Sequence, residues 1–93
     1  MRMVIARRFI VRGRVQGVGF RYFAIRAADE CGVVGTVRNM PDGSVEAVAE
    51  GSPKAITEFK QILEHGPTMG YVSSVDELRL EPTGRYKDFD IVF

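Results

Sequence analysis

Across Gln16-Gly17-Val18-Gly19 the apolar period of the chain switches from that of a strand to that of a helix, and this switch fixes how the fold must begin. Before it, Phe9, Val11, Gly13 and Val15 alternate with Arg8, Ile10, Arg12 and Arg14, which predicts a strand over Phe9–Val15 with one strongly apolar face. After it, Phe20, Phe23, Ala24, Ala27 and Cys31 recur at helical spacing, and Gly32 supplies a C-terminal stop. The glycines between are too flexible to continue either element.

The remaining elements follow from similar punctuation. Val33–Asn39 and Ser44–Glu50 read as strands joined by the turn Met40-Pro41-Asp42-Gly43, so they form a hairpin. Ser52 as N-cap and Pro53 at the first helical position open a second helix, with Ile56, Phe59 and Leu63 on one face, Ile62 flanking, and Gly66-Pro67 as the stop. Tyr71–Leu80 reads as a long fourth strand, irregular near Ser73-Ser74. Phe89, Ile91 and Phe93 alternate as a short last one. The order β-α-β-β-α-β plus a terminal strand is the split β-α-β arrangement, an α+β class. Right-handed crossovers place both helices on one face of an antiparallel sheet. With 93 residues and no linker or repeat, residues 1–93 are expected to form one domain.

Chain direction then makes the main structural expectation. The first and second strands run the same way, so the loop after the first and the turn after the second lie at one end of the sheet. Gly13–Arg21 and Asn39 become neighbours.

Charge and composition narrow the chemistry. The formal net charge is +1, which argues against a nucleic-acid binder working through a cationic face. Any anion must be held locally. A lone cysteine, Cys31, permits no intramolecular disulfide or cysteine zinc cluster, and suits a reducing cytosol; it reads as a small apolar helix residue. The lone histidine, His65, reads as a solvated residue near a helix C-terminus. No pair of histidines offers a metal site, the carboxylates read as solvated surface, and no Ser-His-Asp or Cys-His set is available. There is no signal-like or membrane-length apolar run, so a cytoplasmic location is the expectation.

A glycine loop opening a helix can aim backbone N–H groups at one anion, with the helix dipole behind them. Arg21, in the first turn, adds a planar charged fork. On spacing alone the opposite reading is equally open: glycines that only turn the chain, and a solvated arginine. Asn39 alone reads as a turn residue before Met40-Pro41-Asp42-Gly43. The segment matches neither a P-loop, which needs Gly-Lys-Ser/Thr, nor a dinucleotide fingerprint, which needs a third glycine where Tyr22 stands.

Two longer segments carry a resemblance. Val11-Arg12-Gly13-Arg14-Val15-Gln16-Gly17-Val18-Gly19-Phe20-Arg21 resembles the first signature of the acylphosphatase family, and Gly35-Thr36-Val37-Arg38-Asn39-Met40-Pro41-Asp42-Gly43-Ser44-Val45, continuing to Gly51, resembles the second. The family usually has an aromatic residue where Thr36 stands, which bears on local packing or substrate fit. The resemblance implies a ferredoxin-like fold, a monomer, no cofactor and no metal, and hydrolysis of small-molecule acyl phosphates to carboxylate and inorganic phosphate. It assigns phosphate binding to Arg21 and to the loop Gln16, Gly17, Val18, Gly19 and Phe20, and orientation of the attacking water to Asn39.

The chemistry fits so short a set. A carboxylate leaves without protonation, so no general acid is needed. A loose phosphoryl transfer asks mainly for positive potential and in-line geometry. Arg38 should face away from Asn39 and be solvated, and the last strand should bring the Phe93 carboxylate towards Arg21. Two other readings remain at this point: an RNA- or regulatory-ligand-binding split β-α-β domain using Arg8, Arg12 and Arg14, and an acylphosphatase-like module of a larger carbamoyl-transfer maturation protein.

Overall fold

A computed structural model describes residues 3–93. Strand β1 (Ile5–Arg14) leads through the glycine loop to helix α1 (Phe20–Cys31), then strand β2 (Val34–Asn39), strand β3 (Val45–Gly51), helix α2 (Pro53–His65), strand β4 (Tyr71–Leu80) and strand β5 (Phe89–Ile91). The expected order is present. β1 begins four residues earlier than its alternation suggested, because Arg7 interrupts the apolar pattern on the helix side. It is tolerated there because its guanidinium reaches Glu77 at 3.1 Å.

The five strands are ordered β4-β1-β3-β2-β5, so β3 is inserted between the parallel pair β1 and β2. Three of the four strand pairings are antiparallel, as expected, but β5 runs parallel to β2, with Thr36 opposite Asp90. The sheet is therefore mixed, a correction to the all-antiparallel expectation. The cause is the connection after β4, which crosses from one edge of the sheet to the other. Glu50 of β3 holds that connection: its carboxylate accepts hydrogen bonds from the Thr83 amide (2.9 Å), the Thr83 hydroxyl (2.9 Å) and the Gly84 amide (3.0 Å).

The irregularity expected near Ser73-Ser74 is a bulge: Arg12 pairs with Ser74 and Gly13 with Val72, leaving Ser73 as the extra residue. Gly13 is required there, since a Cβ would lie 2.1 Å from the Tyr71 carbonyl oxygen. Phe9 and Val11 of β1, Val37 of β2 and Val45 and Ala47 of β3 are buried under the helices. Phe59 of α2 sits between Phe9 and Phe89, with ring centroids 6.0 and 5.4 Å away. Each buried phenyl contributes roughly 1.5–3 kcal/mol. Helix α2 packs over β1, β3 and β4 and reaches β5 through Phe59, while Phe20, Ala24, Ala27 and Ala28 seat α1 over β2 and β5.

On the opposite face, two carboxylates depart from the solvated reading. Glu46 is buried between Arg8 (2.6 Å) and Arg38 (2.8 Å), and Glu50 is buried under Thr83 and Gly84. Arg38 does face away from Asn39, but it is ion-paired rather than free. Cys31 is half-buried at the end of α1, and His65 is exposed at the end of α2.

Candidate active site

The loop from Val15 to Gly19 leaves the end of β1 and delivers the chain into α1. Gly17 (φ 73°) and Gly19 (φ 77°) both lie in the left-handed region, where a side chain would be strained. A Cβ at either position would meet nothing within 4 Å, so the glycines are needed for backbone shape, and the space beside them stays open.

Gly19 is the residue before α1, and no side chain caps the helix there; its first turn holds no acid. The Phe23 amide is bonded to the Gly19 carbonyl at 3.0 Å, whereas the amides before it have no carbonyl of the helix to reach. Their partial positive charge is reinforced by the dipole.

The residues of this first turn, Phe20, Arg21 and Tyr22, line a hollow of about 190 Å³. Its floor is the buried pair Val15 and Phe20; Gly17 and Gly19 supply backbone, and Arg21, Tyr22 and Asn39 stand around it. Arg21 comes from the first turn of α1 and Asn39 from the last residue of β2, so the expected convergence is realised. Among the described residues no carboxylate lies within ion-pairing distance of Arg21. The Phe93 carboxylate, which the last strand was expected to bring towards Arg21, makes no ion pair with it. Val92 donates its amide to the Val37 carbonyl (2.9 Å), and beyond it the Phe93 ring lies 5.8 Å from the Arg21 guanidinium carbon.

Of the loop residues expected to surround phosphate, Gly17, Gly19 and Phe20 line the hollow, and Gln16 and Val18 do not. Val18 is half-buried against the core. Gln16 turns its amide towards the β2–β3 turn, where Nε2 donates to the carbonyls of Met40 (2.8 Å) and Ser44 (2.9 Å). That turn is itself closed by Met40 N to Ser44 O (2.8 Å) and by Asp42, which accepts from the Ser44 hydroxyl (2.6 Å) and amide (2.9 Å). The Ser44 hydroxyl and amide, with Arg12 nearby, hold the Asp42 carboxyl below the usual range. Gln16 thus straps the glycine loop to the turn that follows Asn39. Its role was invisible in the sequence because both acceptors are backbone atoms of a distant segment.

Tyr22 was also missed as a lining residue. Its place beside Arg21 was the only available signal. Thr36, the departure from the family pattern, pairs with Val48 and Asp90 and is not among the residues of the hollow. On the open sheet face, Arg8 is bound to Glu46, and Arg12 lies 3.5 Å from both Asp42 and Asp76. Two of the three cations of that reading are thus engaged by carboxylates of the chain, and among the described residues Arg14 alone of the three makes no ion pair, which weakens the RNA reading. Among the described residues no group of three or more His, Cys, Asp or Glu side chains could hold a metal ion, and no helix is long and apolar enough to cross a membrane.

The architecture and the hollow together define a ferredoxin-like α+β domain with an open, cation-bearing recess at the start of its first helix. The family model for Acylphosphatase matches residues 7–91. A relative named acylphosphatase from Methanothrix thermoacetophila is 42% identical over 98% of this chain and 100% of its own length. The crystal structure of acylphosphatase from Bacillus subtilis superposes with a TM-score of 0.91 at 37% identity, covering 98% of this chain and 100% of that one. HypF from T. kodakarensis matches with a TM-score of 0.84 at 31% identity, over 96% of this chain but only 12% of its own, so the same fold also occurs as a small part of a much longer protein.

The chain belongs to the acylphosphatase family. Its activity is the hydrolysis of acyl phosphates, and the hydrolase reading prevails over the binding-module and maturation-module alternatives.

Proposed function

We propose that Arg21 and the amides of the Gln16–Phe20 loop bind the phosphoryl group, and that Asn39 orients the attacking water. The observation that supports this reading is that Arg21 and Asn39, from separate elements, line one hollow of about 190 Å³. The Asn39 carbonyl accepts a hydrogen bond from water and aims its oxygen at phosphorus, in line with the acyl oxygen. The P–O bond to the acyl group breaks, and its electron pair leaves with the carboxylate. An amide is not a useful base, so a non-bridging phosphate oxygen takes the water proton. Arg21 and the loop amides hold the charge spread over the equatorial oxygens, where preorganised donors are most effective. No general acid enters, because the carboxylate leaves as a weak base. In this reading residues 1–93 act as one monomeric, cofactor-free, cytoplasmic domain on small acyl phosphates.

The test is hydrolysis of an aromatic acyl phosphate with chelator present, together with inorganic phosphate binding. Asn39→Ala should lower kcat by roughly 10²–10³ while phosphate binding stays nearly intact. Loss of phosphate binding in a folded Asn39→Ala protein would overturn the water-orienting role.

A further inference from the structure

We infer that Tyr22 is the specificity-determining residue for the acyl half of the substrate: its ring is the platform on which a flat acyl group lies. This rests on the reading that the phosphoryl group occupies the hollow beside Arg21.

Size comes first. The hollow holds about 190 Å³, whereas pockets that engulf a whole small molecule hold about 300–1,000 Å³. It has room for the phosphoryl group and the attacking water, so the acyl group must project through the mouth. The side chains at that mouth are unequal. Val15 and Phe20 are each 1% exposed and make the floor, so neither presents a face to an outward-pointing group. Among the described residues that line the hollow, Tyr22, 70% exposed, is the aromatic one open to solvent; the Phe93 ring lies 5.8 Å from the Arg21 guanidinium carbon but does not line the hollow.

Position makes the exposure informative. The buried face of α1 is Phe20, Ala24, Ala27 and Ala28, and Tyr22 lies off it, so the ring is not held by the core. A single exposed aromatic on a helix needs no explanation by itself. This one directly follows Arg21 on a rigid helix, so its placement relative to the bound phosphoryl group is set by backbone geometry. A planar, conjugated acyl group leaving the hollow can stack on such a ring, with centroids offset by about 4.5–7 Å. A small aliphatic acyl group ends too close to the carbonyl carbon to cover it. The preferred substrates are therefore acyl phosphates carrying a flat unsaturated group.

The experiment compares kcat/KM for benzoyl phosphate and acetyl phosphate in wild type, Tyr22→Ala and Tyr22→Phe, with inorganic phosphate as competitive inhibitor. Tyr22→Ala should lower the benzoyl phosphate value about three- to tenfold while changing the acetyl phosphate value less than about twofold. Tyr22→Phe should retain the benzoyl preference, and phosphate inhibition should be unchanged in both variants. An unchanged benzoyl-to-acetyl ratio in Tyr22→Ala would overturn the inference, whether both substrates lose rate or neither does. So would a Tyr22→Phe protein that behaves like Tyr22→Ala. Failure of the underlying phosphate reading looks different: Arg21→Ala would then keep both substrates and the inhibition by phosphate.

Discussion

The two ends of the sheet treat exposed N–H groups in opposite ways. At the end where α2 begins, Ser52 accepts the Ala55 amide at 3.1 Å and Pro53 follows it at the first helical position. Two residues before Ser52, the buried Glu50 carboxylate takes the amides of Thr83 and Gly84. The chain supplies its own acceptors there. At the other end, α1 begins at a left-handed glycine with no side-chain cap and no acid in its first turn, and it places Arg21 where the dipole disfavours a cation. Glu50 is, in effect, an internal anion seated on backbone amides, while the start of α1 is the same arrangement left for an anion from outside. The difference separates residues that serve stability from residues that serve turnover.

Substitutions at the two ends should therefore divide cleanly. The largest effect is expected from Arg21→Ala, which should lower kcat/KM by at least roughly 10²–10³. Its melting temperature without phosphate should be unchanged or slightly raised, since a cation leaves a helix N-terminus. Arg21→Lys should recover little, because a point charge cannot reproduce the two-pronged contact. A lysine variant with full activity would break the comparison at its active end.

Glu50→Gln should act on stability, costing about 1.5–3 kcal/mol at neutral pH through its charge-assisted hydrogen bonds. Burial raises the Glu50 pKa, but the donors from Thr83 and Gly84 outweigh it and leave the group below its usual value. A lowered pKa adds stability that is complete above the unfolded value of about 4.3 and is lost as pH falls through the folded one. Denaturant melts across the acid range should show a shallower decline for Glu50→Gln than for wild type, with kcat/KM at neutral pH unaffected. The smallest effect is expected from Ser52→Ala, a loss of about 1 kcal/mol on removing the cap, again with activity unchanged. Equal loss of activity from Ser52→Ala and Arg21→Ala would erase the distinction between the two ends.

Features written in local residue patterns were the ones legible from sequence. Gly19 and Gly32 bracket α1, and Ser52-Pro53 and Gly66 bracket α2, because caps and stops depend on a few adjacent residues. The meeting of Arg21 and Asn39 was legible too, since it follows from strand direction alone. What could not be read depends on partners far along the chain. The early start of β1 needs Glu77 to accommodate Arg7. The parallel pairing of β5 needs the crossing segment that Glu50 holds. Glu46 looks like any surface acid until Arg8 and Arg38 arrive from two other strands. The strap from Gln16 ends on backbone carbonyls, which carry no mark in a sequence.

The insertion of β3 between β1 and β2 has a kinetic consequence. Arg21 follows one of the flanking strands and Asn39 ends the other, so neither hairpin closure nor helix formation alone can assemble the pair. Catalytic power should return during renaturation only when the middle strand has slotted home, which makes acyl phosphate turnover a stopwatch for that single event.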